Sequence, residues 1–135
     1  MSKLELYIDG ASKGNPGPSG IGVVIRQNGK TIKEIAQYIG TATNNTAEYT
    51  ALIFALQESL ELRSRGVLVR TDSELLYRQI TKVYKVRHPN IAVLYQQAVQ
   101  LIAHFNDFSI RHIPRAENKE ADRLATQAVK DSLKK

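Results

Sequence analysis

The 135-residue sequence contains no cysteine and no tryptophan. Without cysteine there is no disulfide framework, no thiolate zinc site, no iron–sulfur cluster and no cysteine nucleophile. No apolar run approaches the roughly 18–20 residues that span a bilayer, so no membrane segment is expected. Met1 to Gly10 already carries Lys3, Glu5 and Asp9 and does not read as a signal peptide. There is no internal repeat, no low-complexity tract and no dividing linker, so residues 1–135 are expected to form one domain. Hydrophobic residues make up 42% and charged residues 24%, ordinary for a globular protein and incompatible with wholesale disorder. A cytoplasmic protein fits this composition, and a monomer is the default expectation.

Acid is absent from another place. Residues 75–106 contain no Asp or Glu but contain Arg78, Lys82, Lys85 and Arg87. The net charge is +6, and most of it lies in the second half: residues 1–66 hold seven basic and six acidic residues, residues 67–135 twelve and seven. Such a stretch suits a polyanion, because Lys and Arg neutralise phosphates and release counterions. A solvated basic face is the plainer reading.

Periodicity gives the element order. Leu4 to Asp9 alternates as a strand. The stretch Gly10 to Gly20 is dense in turn formers and is expected to be loop. Gly22 to Arg26 reads as a second strand, Asn28-Gly29 as a hairpin turn, and Thr31 to Tyr38 as the returning strand. Thr46 to Arg63 reads as a helix, Val67 to Thr71 as a strand, and Ser73 to about Thr81 as a helix. A helix opening at Pro89-Asn90 carries Leu94, Ala98, Leu101, Ile102 and Phe105 on one stripe. Phe108 to Ile113 is a strand and Pro114 to Asn118 a loop. A last helix carries Ala121, Leu124, Ala125, Ala128 and Val129, and the Lys134-Lys135 tail is expected to fray. The order β-β-β-α-β-α-α-β-α implies an α/β fold: a mixed five-stranded sheet, three strands antiparallel and two parallel, flanked by helices.

Four acids stand at element ends. Asp9 and Asp72 end the first and fourth strands, Glu48 lies in the first turn of the long helix, and Asp122 in the first turns of the last. Each has a local explanation. Asp9-Gly10 can form a turn, Glu48 can close a capping box on Asn45, Asp72 can cap the next helix, and Asp122 can complement a helix dipole. If the strands are parallel neighbours, however, these acids converge at one sheet edge, where open α/β sheets bind ligands. Carboxylates that converge without basic partners repel, and their ionised forms need a cation between them. All-oxygen donors without His or Cys select Mg²⁺ or Mn²⁺. Three or four such acids can hold two ions ~3.5–4 Å apart, an arrangement for in-line displacement at phosphorus.

Four segments carry a family likeness: Tyr7-Ile8-Asp9-Gly10-Ala11-Ser12 with Gly14-Asn15-Pro16-Gly17; Thr43-Asn44-Asn45-Thr46-Ala47-Glu48-Tyr49; Thr71-Asp72-Ser73; and Glu117 to Ala125. In these the chain resembles type 1 ribonuclease H, which hydrolyses the RNA of RNA–DNA hybrids. The resemblance is to a shorter subgroup without the basic, Trp-rich protrusion, since Thr81 to Asn90 is too short to hold one. It implies an RNase H-like fold and assigns Asp9, Glu48, Asp72 and Asp122 as catalytic ligands of two Mg²⁺ ions. It further implies cleavage to 5′-phosphate and 3′-hydroxyl ends. Asn44 and Asn45 would read a 2′-hydroxyl or a base edge, which amides do by both donating and accepting. Asn15 and Thr43 match positions near the nucleic-acid backbone, and His112 matches an auxiliary histidine, although it stands in an alternating strand rather than a Gly-rich loop. Arg78, Lys82, Lys85, Arg87, Arg115, Lys119 and Arg123 are expected to support hybrid binding. A non-catalytic binding module of the same fold is the alternative. A phosphoaspartyl signalling domain is disfavoured by the Asn28-Gly29 hairpin and by the lack of a lysine ending a late strand.

Overall fold

The computed structural model describes residues 3–133; the Lys134-Lys135 tail lies outside them. The strands are β1 (Leu4–Ser12), β2 (Gly17–Gln27), β3 (Lys30–Ala42), β4 (Gly66–Thr71) and β5 (Asp107–His112). The helices are α1 (Asn44–Glu61), α2 (Glu74–Ile80), α3 (Pro89–Ile102) and α4 (Lys119–Leu133), the last preceded by a 3₁₀ turn at Arg115–Glu117. The sheet order is β3-β2-β1-β4-β5. β1 is antiparallel to β2 and β2 to β3, while β1–β4 and β4–β5 are parallel. The mixed sheet expected from the sequence is the sheet observed.

Side-chain alternation divides the core between two faces. Leu6 and Ile8 of β1, Ile21, Val23 and Ile25 of β2, and Val67 and Val69 of β4 pack with Leu52 and Leu56 of α1 in the main core. Val24 and Tyr7 turn the other way and pack against Ala121 and Leu124 of α4. Two helical layers therefore enclose the centre of the sheet, and the carboxylates stand where both layers reach its end.

The expected loop from Gly10 to Gly20 is wrong at both ends. β1 continues to Ser12 and β2 begins at Gly17, leaving a turn of four residues. Gly10 and Gly22 serve close approach rather than turning. A Cβ on Gly10 would lie 2.5 Å from the Ala47 carbonyl carbon, and one on Gly22 would lie 2.0 Å from the Ala121 oxygen. The third helix also differs from expectation: it stops at Ile102, and Phe105 reaches the core from the turn that follows. His104 stands in that turn rather than in the helix.

Candidate active site

Parallel pairing of β1 with β4 sets Ile8 opposite Thr71, so the next residues, Asp9 and Asp72, emerge side by side. Asp9 is not part of a turn but lies inside β1. Asp72 does not cap α2; Ser73 does, its hydroxyl accepting from the Leu76 N–H at 3.2 Å. Glu48 makes no capping box with Asn45. The cap of α1 is Thr43, whose hydroxyl accepts from the Thr46 N–H at 3.1 Å. Glu48 is freed to cross to β1, where Oε1 accepts from the Gly10 N–H. One carboxylate oxygen from each of Asp9, Glu48 and Asp72 lies within 4.8 Å of the others. Asp122 lines the same open cavity of about 460 Å³, together with Ser12, Asn44, Arg115 and Thr126.

The electrostatics follow from this convergence. Asp9 and Glu48 are buried, at 6% and 8% exposure. Among the described residues neither they nor Asp72 form an ion pair with Lys or Arg. Burial, then the charge of Asp72, then a hydrogen bond shared with Asp122 push the Asp9 carboxyl up to about 8. Glu48 is raised well above the usual carboxylate range by burial first and then by the charges of Asp9 and Asp72, with the Gly10 N–H pulling the other way. Three acids held together at this cost in repulsion form a site for a positive charge. The donors are hard oxygens without imidazole or thiolate, a set that fits Mg²⁺ or Mn²⁺ and not zinc.

Comparison with known proteins gives the family. A family model described as Reverse transcriptase-like matches residues 7–128. The chain is 36% identical over 143 residues to the Ribonuclease H of Pelobacter propionicus, covering 95% of this chain and 85% of that protein. The chain belongs to the ribonuclease H family. It is also 40% identical over 131 residues to the Ribonuclease HI of Halobacterium salinarum. That match covers 96% of this chain but 66% of that protein's length, and mycobacterial relatives at the same identity are matched over 35% of theirs. The crystal structure of RNase H1 from Halobacterium salinarum superposes with a TM-score of 0.93, covering 96% of this chain and 98% of that one. LC11-RNase H1, solved in complex with an RNA/DNA hybrid, is 40% identical with a TM-score of 0.91, covering 97% and 99%.

Within this ribonuclease H fold the remaining expected residues separate. Asn15, Thr43, Asn44 and Asn45 gather where the β1–β2 turn meets the start of α1. Asn15 Oδ1 accepts from the Asn44 N–H at 3.1 Å, and Asn44 lines the carboxylate cavity. Thr43 is the helix cap, a role the sequence suggested for one of the two asparagines. Asn45 Oδ1 is buried and, among the described residues, without a partner, an acceptor with capacity to spare. His112 ends β5 beside the site but outside the cavity lining. Its Nε2 lies 3.3 Å from the Asp72 carbonyl oxygen, and its ring stacks on Tyr77. Arg115 pairs with Asp122 at 3.5 Å, a contact not foreseen for a residue expected only to bind hybrid. The sequence reading gives no role to Thr126, nor to Asn118, although Asn118 lies in the segment Glu117 to Ala125. An Asn one residue before a helix signals a cap and nothing more, and Thr126 sits in an amphipathic pattern that explains it without a site.

Proposed function

We propose that this chain is an endonuclease that hydrolyses the RNA strand of RNA–DNA hybrids by two-metal-ion catalysis, leaving 5′-phosphate and 3′-hydroxyl ends. The observation that carries the reading is the meeting of Asp9, Glu48 and Asp72 oxygens within 4.8 Å with, among the described residues, no cationic side chain paired to them. Asp9, Glu48 and Asp72 would hold one Mg²⁺, and Asp122, which lines the same cavity, would hold a second together with Asp9; Mn²⁺ meets the same donor requirements. Bound there, the ions supply Lewis-acid stabilisation of charge on the phosphate and a more acidic water. The chain's own residues do the rest. The Gly10 N–H orients the Glu48 carboxylate, and the Asn44 amide on the cavity wall presents a donor and an acceptor to a 2′-hydroxyl. Arg115, 80% exposed at the rim, adds positive charge beside the path of a phosphate backbone. The family likeness and the hybrid-bound relative support the choice of substrate.

The test is incubation of purified protein with a labelled RNA–DNA hybrid, the matching DNA duplex and the matching RNA duplex, each with Mg²⁺, Mn²⁺ or EDTA. The expected outcome is scission of the RNA strand of the hybrid only when a divalent ion is present, with the DNA duplex intact. Salt-dependent hybrid binding with no scission under any condition would replace this reading with the non-catalytic module.

A further inference from the structure

Among the described residues Asn118, at 1% exposure, is the one asparagine whose side chain is fully buried. It stands between the 3₁₀ turn and α4, where a cap would offer its oxygen to the N–H groups of the first helical turn. Among the described residues its Oδ1 meets no donor. The donor side of the amide is committed instead: Nδ2 donates to the Ile8 carbonyl at 2.8 Å and reaches Asp72 Oδ2 at 3.4 Å. Its main-chain carbonyl accepts from the Asp122 N–H at 3.1 Å. One residue thus touches the peptide before Asp9, the side chain of Asp72 and the backbone of Asp122.

We propose that Asn118 is a positioning residue of the carboxylate cluster: its amide ties β1, β4 and α4 together at the site and fixes the orientation of Asp72 toward Asp9. The physical case is one of directed donors. Asp72 is just past the last residue of β4, so the strand ladder does not hold its side chain. Nearby Asp9 and Glu48 repel it. An N–H pointed at Oδ2 offsets part of that repulsion and leaves the other oxygen free for an ion. Partners of this kind, which touch ligands rather than the metal, typically change metal affinity about 10–100-fold when removed. The inference rests on the metal-site reading above.

The experiment titrates Mn²⁺ into protein without nucleic acid and follows free Mn²⁺ by electron paramagnetic resonance. It compares the parent chain with Asn118→Ala and Asn118→Ser, and with Leu56→Ala as a core variant destabilised at a distance from the site. The expected result is a Mn²⁺ dissociation constant raised about 10-fold or more in both Asn118 variants and unchanged in Leu56→Ala. In hybrid cleavage the same variants lose kcat at low Mg²⁺ and recover it as Mg²⁺ is raised, with KM for hybrid unchanged. Serine keeps a polar group before α4, so a folded Asn118→Ser chain makes the comparison even if Asn118→Ala does not fold. Unaltered Mn²⁺ affinity in Asn118→Ser overturns the positioning role while leaving the nuclease reading intact. Failure of the parent chain itself to bind Mn²⁺ or cleave hybrid overturns both.

Discussion

Asp9 is buried, close to Glu48, Asp72 and Asp122 and, among the described residues, without a basic partner, so its ionised form is held at a cost. A carboxyl whose folded-state pKa is raised from 3.8 to about 8 binds more protons folded than unfolded between those values. Its contribution to stability therefore falls as the pH climbs through that window. Glu48 shifts in the same direction. In EDTA the parent chain is expected to melt at lower temperature as the pH rises from about 5 to about 8, and the Asp9→Asn variant to lose much of that dependence. Near pH 8 Asp9→Asn should gain about 1–2 kcal/mol, several degrees in Tm, because a neutral amide replaces a crowded charge. The same substitution, like Asp72→Asn, should abolish Mg²⁺-dependent cleavage of hybrid. A variant more stable and inactive is the signature of a residue kept for chemistry rather than for folding. Full activity in either variant, measured on labelled hybrid, would remove these acids from the mechanism. Calcium should bind the parent chain yet support little turnover, since it tolerates looser geometry than in-line displacement requires.

The elements matter because they carry these acids to one place. α4 brings Asp122 to the site by lying flat against β2, and it can do so only because Gly20 and Gly22 leave room. A Cβ at Gly22 would stand 2.0 Å from the Ala121 carbonyl oxygen, one residue from Asp122. That oxygen is backbone and cannot swing aside. Gly22→Ala should therefore destabilise the fold by about 1–3 kcal/mol or more, read by chemical denaturation. It should also lower kcat more than that loss explains, since any relief moves Asp122 away from Asp9. Gly29, in the β2–β3 turn, would place a Cβ in open space with nothing within 4 Å, but its φ of +78° still disfavours any other residue. Turn-forming composition marks all the glycines from 10 to 20 alike. The distinction between a glycine that turns and one that yields space lies in what packs above it, here Ala47 on α1 above Gly10 and Ala125 on α4 above Gly20.

At the scale of the whole molecule, positive charge gathers in a stretch that begins soon after Asp72. The acids of the site lie at one end of the sheet, while the acid-free stretch runs from Leu75 through the rest of α2, the loop after it and α3. Arg78 is partly committed within this stretch, bonding Glu74 at 3.0 Å and lying over the Tyr84 ring at 5.5 Å. Lys82 and Lys85 form no ion pair among the described residues, and they share an open cavity with Tyr84 and Tyr95. Replacing either lysine by alanine should weaken hybrid binding by a similar factor for every sequence and reduce the salt slope of log K by about 1. kcat at saturating hybrid should be unchanged. Binding measured across a salt series decides this, and an unaltered slope would return the stretch to a solvated face. Among the described residues no helix is long and apolar enough to cross a membrane.

The order of the elements, the parity of strand side chains and the exclusion of thiolate chemistry were legible in the amino-acid string. Each of these depends on residue type or on neighbours within a few positions, and periodicity records them directly. Asp9, Glu48, Asp72 and Asp122 were also visible as acids at element ends, though every one had a local alternative. The choice between those alternatives was made by the packed fold. Glu48 turned to Gly10 instead of Asn45, Ser73 and Thr43 took the caps, and Ile8 aligned with Thr71 to place two carboxylates together. Asn118 and Ile8 are 110 residues apart in the chain, and no local pattern encodes their bond. Such contacts exist because burial leaves a polar group only the partners that packing brings within reach, and packing is a property of the whole fold.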